Sequence, residues 1–324
     1  LAVTFTPSTQ GTITDTLTIA SSGFAVDGTV KIPLSGIGLN VTGTIHVPSV
    51  ITGIQDAINY ASSGDSIIVG AGTYTETINF SGKDVILVSS AGAASTIIDA
   101  DGGGSTVTIE NGETSSAVLD GFTITGGNAQ YGGGLHVDRS PTYVGSSATL
   151  KNLVITGNTA SSYGGGLYVN GSNTSVTLSN TRITGNTSNY SGGGVYMSWY
   201  ADVTLENVEV TDNTTSYYGS AFYHYLKGTL TLINSTVSGN SGGTGAYFST
   251  GDETMLIAFN SIFWNTGVQE IYMDNDWWDD AESHLGQCLI EGGTTTGVFD
   301  NDGDADIYTY GTITTGAPAF VDTT

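Results

Sequence analysis

Two short phrases recur along the middle of the chain with a nearly constant period, and this regularity restricts the possible folds more than any other feature. A glycine-rich phrase, YGGGLYV in one copy, begins at Tyr131, Tyr163, Ser191, Tyr218 and Thr244. A second phrase, NLVITGN in one copy, begins at Asn152, Asn180, Asn207 and Asn234. Both phrases recur every 26–28 residues over most of this range. A shared period indicates one structural unit per repeat, as in solenoid proteins.

Each repeat contains three short segments with the composition of β-strands, such as SVTL, TRIT and GLYV. Residues rich in Val, Ile and Thr between Gly and Asn turns are typical of strands. The 324 residues include 47 glycines and only 5 prolines, which favours tight turns over proline-rich disorder. Three strands per repeat predict an all-β, right-handed parallel β-helix with three strands per coil.

Two families share parts of this pattern. The phrases GGGL, GGGV and GSAF, together with ITGN, VTDN and VSGN, resemble the GGA[ILV] and FxxN repeats of chlamydial polymorphic outer-membrane proteins. The stretch PSVITGIQDAINYASSGDSIIVGAGTY resembles the N-terminal cap and first coil of the pectate-lyase-like superfamily, with Ile54, Ala57, Ile58 and Ala61 on one helical face. These resemblances imply a helix that covers the N-terminal end of the solenoid.

The first 39 residues have a different pattern. LAVTF, DTLTIAS and TVKIPLSGIG read as short alternating strands, and they resemble the C-terminal half of Hydin-like immunoglobulin-type domains. We therefore predict a partial Ig-like β-sandwich over 1–39, a linker over 40–48 and the β-helix, with irregular C-terminal coils, over 49–324. Open strand edges in the first segment predict self-assembly with a neighbouring subunit.

Charge and cysteine content narrow the classes of partner. Six Lys and Arg residues stand against 30 Asp and Glu residues, so a nucleic-acid partner is excluded. Cys288 is the single cysteine, and no apolar run is long enough for membrane insertion. We interpret the chain as a mature or excised piece of a longer bacterial or archaeal protein, located outside the cell or on its surface.

Rows of equivalent residues predict the interior of the coils. One core row is expected to contain Leu135, Leu167, Val195, Phe222 and Phe248, and another Ile124, Ile155, Ile183, Val210 and Val237. The asparagines at 152, 180, 207 and 234 are predicted to be structural, because Asn tolerates left-handed turns and its amide can hydrogen-bond along a column. A catalytic or glycan-bearing role for these asparagines is the alternative.

Aromatic side chains supply the predicted ligand-binding residues. An outward row of His136, Tyr168, Tyr196, Tyr223 and then Ser249 would place three stacked tyrosines on one face, suited to sugar rings or a partner. Stabilisation of a solvated sheet is the alternative for this row. Trp277 and Trp278, within DNDWWDDAE, are further glycan-binding candidates, with capping of the last coil as the alternative.

A calcium site is predicted in the segment DNDGDAD. Asp300, Asp302 and Asp304 alternate around a glycine, and carboxylate oxygens at such positions suit Ca²⁺. A solvated acidic turn is the alternative.

The most favoured function is a non-catalytic extracellular structural or adhesive module of a large surface protein or fibre, with glycans as the candidate ligand. The resemblance to pectate lyases and polygalacturonases keeps a carbohydrate-active enzyme as an alternative, although no recurring Asp–Arg cluster and no G-H-G or R-x-K motif is present. An ice-binding solenoid is disfavoured because Arg182 and Glu209 interrupt the threonine rows.

Overall fold

A computed structural model of the chain describes residues 11–20, 29–38, 43–250, 253–274, 281–293, 297–300 and 305–315, with side chains from residue 43 onward. The chain divides into two compact units, Leu1–Thr44 and Ile45–Thr324. Each unit is described by itself.

The first unit contains an antiparallel pair of strands, β1 (Gly11–Ala20) and β2 (Thr29–Gly38). Gly11 lies opposite Gly38 and Ala20 lies opposite Thr29. The predicted strand LAVTF lies outside the described residues. The Ig-like character of this segment, and self-assembly through its edges, stay predictions.

The second unit starts with a strand where a linker was predicted. Strand β3 (Thr44–Val47) is hydrogen-bonded into the longest sheet of the solenoid. Its side chains alternate, and Ile45 and Val47 are buried. This apolar alternation makes the segment part of the core, so the predicted 40–48 linker is wrong at these positions.

A short helix, α1 (Ile54–Tyr60), follows and buries the predicted face of Ile54, Ala57 and Ile58. The carboxylate of Glu76 accepts hydrogen bonds from the backbone N–H groups of Ile54 (2.8 Å) and Gln55 (2.9 Å). These bonds satisfy donors that a helix N-terminus leaves free.

The remaining strands form successive coils. Coils one to three contain β4 (Ser66–Val69), β5 (Gly72–Thr75), β6 (Ile78–Asn79), β7 (Ile86–Ser89), β8 (Thr96–Asp99), β9 (Val107–Ile109), β10 (Val118–Asp120), β11 (Thr123–Thr125), β12 (Asn128–Tyr131) and β13 (Leu135–Asp138). Coils four to six contain β14 (Ser147–Lys151), β15 (Val154–Thr156), β16 (Thr159–Tyr163), β17 (Leu167–Asn170), β18 (Ser175–Ser179), β19 (Arg182–Thr184), β20 (Thr187–Ser188), β21 (Val195–Ser198), β22 (Asp202–Glu206), β23 (Glu209–Thr211), β24 (Thr214–Thr215) and β25 (Phe222–Tyr225). Later coils contain β26 (Gly228–Ile233), β27 (Thr236–Ser238), β28 (Tyr247–Thr250), β29 (Thr254–Phe259), β30 (Ile262–Trp264), β31 (Ile271–Asp274), β32 (Glu282–Gly286), β33 (Leu289–Ile290), β34 (Val298–Asp300) and β35 (Asp306–Tyr310).

Three long sheets run the length of the solenoid. Sheet A has eleven strands, in the order β3-β4-β7-β10-β14-β18-β22-β26-β29-β32-β35. Sheet B has nine strands from β5 to β33, and sheet C has nine from β6 to β34. A fourth, short sheet D joins β12, β16, β20 and β24, just before the glycine-rich phrases. The parallel pairing of equivalent strands confirms the predicted parallel β-helix with three strands per coil.

The interior follows the predicted rows with one correction. The sheet B row pairs in the predicted register, from Ile124 to Val237. In sheet C, however, Phe222 pairs with Tyr247, and Tyr223 pairs with Phe248. The chain has one residue fewer between the glycine and the strand in this coil, so Tyr247 occupies the core and Phe248 lies outside it. The predicted positions of Phe248 and Ser249 were therefore wrong by one residue.

An internal ladder of asparagine side chains runs through the core beside sheet B. Its members are Asn158, Asn186, Asn213, Asn240 and Asn265, all of them buried. In each of the first four, Nδ2 donates to Oδ1 of the next asparagine at 2.9–3.0 Å. The backbone N–H of each donates to the same Oδ1 at 2.8–3.1 Å. The ladder thus satisfies polar groups that burial would otherwise leave without partners.

The ladder ends on a buried carboxylate. Within the described residues, Glu270 takes the place that the next asparagine would occupy for Asn265. Its Oε1 accepts from the Asn265 backbone N–H at 2.5 Å, and its Oε2 accepts from Asn265 Nδ2 at 2.7 Å. Only 2% of Glu270 is exposed. Burial raises the pKa of this carboxyl to about 7, while the hydrogen bonds from Asn265 oppose the shift and the neighbouring Glu291 adds to it.

The other asparagine column lies on the outside of the solenoid. Asn152, Asn180, Asn207 and Asn234 have φ angles of 52, 49, 54 and 52°. All four are exposed. Asparagine tolerates this left-handed conformation better than most residues, which is the physical basis of the structural role predicted for the column.

The glycine-rich phrases form the tight turns that lead into the strands of sheet C. Gly164 has a φ of 69°, which disfavours any residue with a side chain. A Cβ on Gly165 would lie 2.5 Å from the carbonyl oxygen of Gly193 in the next coil. The phrase therefore allows adjacent backbones to approach closely at a sharp corner.

None of the helices in the described ranges has the length and apolar character needed to cross a membrane.

Candidate ligand-binding surface

An aromatic ladder covers the outward face of sheet C. Equivalent outward positions pair from coil to coil, and they carry His136, Tyr168, Tyr196, Tyr223, Phe248, Tyr272 and Phe299. Neighbouring ring centroids are 4.9–5.6 Å apart. The ladder is longer than the sequence predicted, because the one-residue slip at Phe248 hid its continuation.

A second layer of tyrosines packs over this ladder. These outer tyrosines either begin a glycine-rich phrase or stand directly before one, and they are Tyr131, Tyr163, Tyr190, Tyr217 and Tyr218. The rings of Tyr131 and Tyr168 stack at 5.2 Å, and those of Tyr163 and Tyr196 stack at 4.6 Å. The Tyr218 and Phe248 ring centroids lie 4.5 Å apart, with the two rings tilted by 32°. The outer tyrosines therefore form a roof over the middle of the ladder.

This roof changes which side chains a ligand can reach. Tyr168 and Tyr196 retain only 8% and 6% of their exposure. Tyr190 and Tyr217 are 43% and 53% exposed, with ring centroids 4.7 Å apart. Ligand binding by Tyr168, Tyr196 and Tyr223 stays a prediction. Among the residues of the ladder and the roof, the largest exposed fractions belong to two outer tyrosines, Tyr190 and Tyr217, which the sequence did not single out as a binding surface.

A polar row runs beside the ladder on the same face. The paired positions are Asp138, Asn170, Ser198, Tyr225, Thr250 and Asp274. Asn170 Nδ2 donates to Asp138 Oδ1 at 2.8 Å, and Ser198 Oγ donates to Asn170 Oδ1 at 2.8 Å. His136 Nε2 lies 3.8 Å from Glu110 Oε2 and 3.9 Å from Asp138 Oδ2. The N-terminal end of the face is therefore acidic, whereas its middle is neutral and polar.

The phenol groups of this face are held in their neutral form. Burial raises the pKa of Tyr168, Tyr196 and Tyr223 well above the ordinary value. Asp138 raises the pKa of Tyr168 further. Burial also raises the pKa of Tyr163. These hydroxyls can therefore donate as well as accept hydrogen bonds.

Other predicted site residues lie elsewhere. Trp277 and Trp278 are outside the described residues, as are Asp302 and Asp304. Asp300 ends β34, and its Oδ2 accepts from the backbone N–H of Ala305 at 3.1 Å. No observation in the described ranges supports the predicted calcium site.

A separate cavity lies at the corner where sheet C strands lead into sheet A. It has a volume of about 320 Å³ and is lined by Tyr200, Lys227, Gly228, Thr229, Glu253, Thr254, Met255 and Glu282. Lys227 Nζ is 3.0 Å from Glu253 Oε2 and 5.5 Å from the centroid of the Tyr200 ring. The cavity thus combines an ammonium group with carboxylates and an aromatic ring.

These features define an all-β solenoid with an aromatic ladder and a polar row on the outer face of sheet C. The model of a family described as periplasmic copper-binding protein (NosD) matches residues 58–297, and the chain belongs to this family. Comparison with curated proteins gives no match.

Pectin methylesterases are among the solved structures similar to this chain. The carrot enzyme is 13% identical over 85% of each chain, with a TM-score of 0.48. PemA from Erwinia chrysanthemi is 12% identical over 88% of this chain and 92% of the enzyme, with a TM-score of 0.45. Similarity at this level carries no argument about the activity of this chain.

Copper does not fit the residues that the structure describes. Within those ranges, no three His, Cys, Asp or Glu side chains lie close enough to hold a metal ion. Both ring nitrogens of the buried His224 are engaged, with the Tyr247 hydroxyl at 3.1 Å and the Lys227 carbonyl at 2.9 Å. The buried Cys288 thiol donates to the Ala258 carbonyl at 3.3 Å. No step of the proposal below depends on a metal.

Proposed function

We propose that this chain is a non-catalytic, glycan-binding structural or adhesive module that works outside the cytoplasm. The observation that carries the proposal is the tyrosine roof over sheet C, with Tyr190 and Tyr217 exposed as a neighbouring pair. Exposed aromatic rings beside hydrogen-bonding groups suit the apolar faces and hydroxyls of sugars. The family description, which names the periplasm, supports a location in the cell envelope or beyond it.

The surface is rigid before any ligand arrives. Each ladder ring stacks on its neighbours, and the strands below are fixed by parallel pairing at every coil. A preformed surface loses little conformational entropy on binding. This rigidity favours a repeated binding module over a catalytic device that closes around a substrate.

Binding to a polysaccharide panel tests the proposal. The panel contains a β-glucan, a mannan, a dextran and a galactan, and binding is measured by affinity electrophoresis or calorimetry. The variant Tyr190→Ala/Tyr217→Ala should weaken binding by roughly fivefold or more, since each aromatic contact contributes about 0.5–1.5 kcal/mol. The matched control is Tyr308→Ala/Tyr310→Ala, which removes two similarly exposed rings from sheet A. Equal weakening by both variants, or no binding at all, contradicts the proposal.

The corner cavity supports a second candidate, a carbohydrate-active enzyme. Lys227, Glu253 and Glu282 would supply the acid–base groups that bond cleavage requires. The same panel distinguishes the two functions if new reducing ends and unsaturated products are measured alongside binding. Turnover that is lost in Glu282→Gln, with binding retained, would favour the enzyme.

A further inference from the structure

We infer that the tyrosine roof selects uncharged polysaccharide chains, lying along the solenoid axis, and excludes acidic ones. The inference rests on the proposed glycan-binding function. It adds the charge class of the ligand and its direction, which follow from charges and spacings around the roof.

The described strands of this face carry no permanent cation, and the single histidine of the outward ladder, His136, lies between the carboxylates of Glu110 and Asp138. The described strands of sheet C and sheet D contain neither lysine nor arginine. The lysine and arginine residues with described side chains lie on other parts of the chain. Lys83 donates to carbonyls at the end of α1, Lys151 lies on sheet A, and Arg182 pairs with Glu209 on sheet B.

The remaining two cations lie in turns that follow sheet C strands. The Arg139 guanidinium stands 4.7 Å from the centroid of the Tyr143 ring. Lys227 is held by Glu253 at 3.0 Å. Each therefore already has a partner near its charge, and neither projects from the strands that carry the aromatic ladder or the roof.

The two ends of the described polar row beside the ladder are acidic instead. Glu110 and Asp138 flank His136 at the N-terminal end of the face, and Asp274 ends the polar row at the other. The chain as a whole has a formal net charge of −24. A carboxylate on a bound sugar would meet like charges and no lysine or arginine on the strands of this face, which is unfavourable.

The chemistry of the roof instead suits neutral hydroxyls. Exposed polar neighbours of the outer tyrosines carry no charge, and they are Gln130, Ser161, Asn189 and Ser216. Amides and hydroxyls both donate and accept hydrogen bonds, as sugar hydroxyls do. When a sugar binds, these neutral groups lose hydrogen bonds to water and gain hydrogen bonds to the sugar. No charged group has to be removed from water in this exchange.

The direction of the ligand follows from the stacking of the coils. Tyr190 and Tyr217 occupy adjacent coils, because Ser191 and Tyr218, which follow them, form a parallel bridge. Strands in neighbouring coils lie about 4.8 Å apart, so the roof is a strip along the axis. A linear chain along this strip contacts several coils, and affinity should therefore rise with chain length.

The experiment compares each neutral polymer of the panel with its own carboxymethylated derivative, using the full chain. At low ionic strength, the derivative should bind roughly fivefold or more weakly than its neutral parent. The gap should narrow near 1 M salt, where the Debye length falls to about 3 Å. The variant Glu110→Gln/Asp138→Asn, checked by its melting curve, should raise binding of the derivative relative to the parent.

The outcomes distinguish a failure of the charge selectivity or of the axial direction from a failure of glycan binding itself. A derivative that binds as tightly as its parent, or more tightly, overturns the charge selectivity while leaving glycan binding intact. Affinity independent of chain length overturns the axial direction. Absence of binding for every neutral polymer and every derivative overturns the proposed function itself.

Discussion

The buried carboxylate at the end of the asparagine ladder makes the last coils sensitive to pH. Each earlier asparagine of the ladder donates two hydrogen bonds to the side-chain oxygen of the asparagine in the next coil. For Asn265, the carboxylate of Glu270 takes that place, and its two oxygens accept one hydrogen bond each. Its pKa is raised from 4.5 to about 7. A folded-state pKa above the unfolded value means that the protonated form is favoured in the fold. The associated stability is therefore present below pH 4.5 and is lost as the pH rises through 7.

The size of the effect follows from the shift. One pKa unit corresponds to 1.36 kcal/mol, so the raised pKa of Glu270 predicts a loss of about 3 kcal/mol between these limits. The variant Glu270→Gln keeps one acceptor and cannot ionise, so it should lack this loss. The free energy of unfolding of the variant, minus that of the wild type, should therefore be about 3 kcal/mol larger at pH 8 than at pH 4.5.

Hydrogen exchange is the appropriate assay, because solenoid ends open locally and a global melting curve averages over all coils. Amides in β29 and β30 should exchange faster in the wild type as the pH rises, after correction for intrinsic rates. Glu206→Gln, an exposed change on sheet A, is the control for removing one negative charge. A difference in unfolding free energy between wild type and variant that stays constant from pH 4.5 to 8, or that changes in the opposite direction, would contradict the role assigned to Glu270.

Two further predictions concern the ladder and the family description. Asn213→Ala removes four hydrogen bonds and leaves buried groups unpaired, so it should destabilise the fold by about 2–6 kcal/mol in urea unfolding. The substitution Asn207→Gly at an exposed position, where glycine tolerates the positive φ, should lower the free energy of unfolding by less than about 1 kcal/mol. Equal destabilisation by the two substitutions would contradict the different roles of the inner and outer asparagine columns. Added Cu²⁺ should leave the melting temperature unchanged, whereas a rise abolished by His136→Ala would reveal a site.

The period of the sequence was sufficient to predict the solenoid. Each coil must place apolar residues inward and glycine at the tightest corner, so these requirements recur at every repeat and are visible in one sequence. The helix over Ile54, Ala57 and Ile58 was equally predictable, because its apolar spacing reflects a buried face. The strand at 44–47 was not recognised, since two apolar residues in four give too short a pattern.

The two asparagine columns show the limit of periodicity. Asn207 and Asn213 recur with the same period, yet Asn207 is exposed with a φ of 54° and Asn213 is buried in the hydrogen-bonded ladder. A repeat reveals that a residue is required at a position, but it does not distinguish a backbone requirement from a side-chain one. The end of the inner column reveals its side-chain requirement. There Glu270, which can accept hydrogen bonds, takes the place of the next asparagine.

The candidate surface was harder to predict because it depends on contacts between segments of unequal length. The strand positions of Tyr168, Tyr196 and Tyr223 follow from the period, but their burial is decided by tyrosines that precede the corner. Tyr190 lies edge-on to the Tyr163 ring at 5.4 Å, beside the coil position where Ser191 replaces a tyrosine. Tyr190 keeps the roof continuous at this coil while the repeat itself is broken. A search for repeated tyrosines therefore passes over Tyr190 and Tyr217, the two most exposed tyrosines of the roof. The accessible surface is therefore found where the repeat is imperfect, and the binding experiments should be directed there.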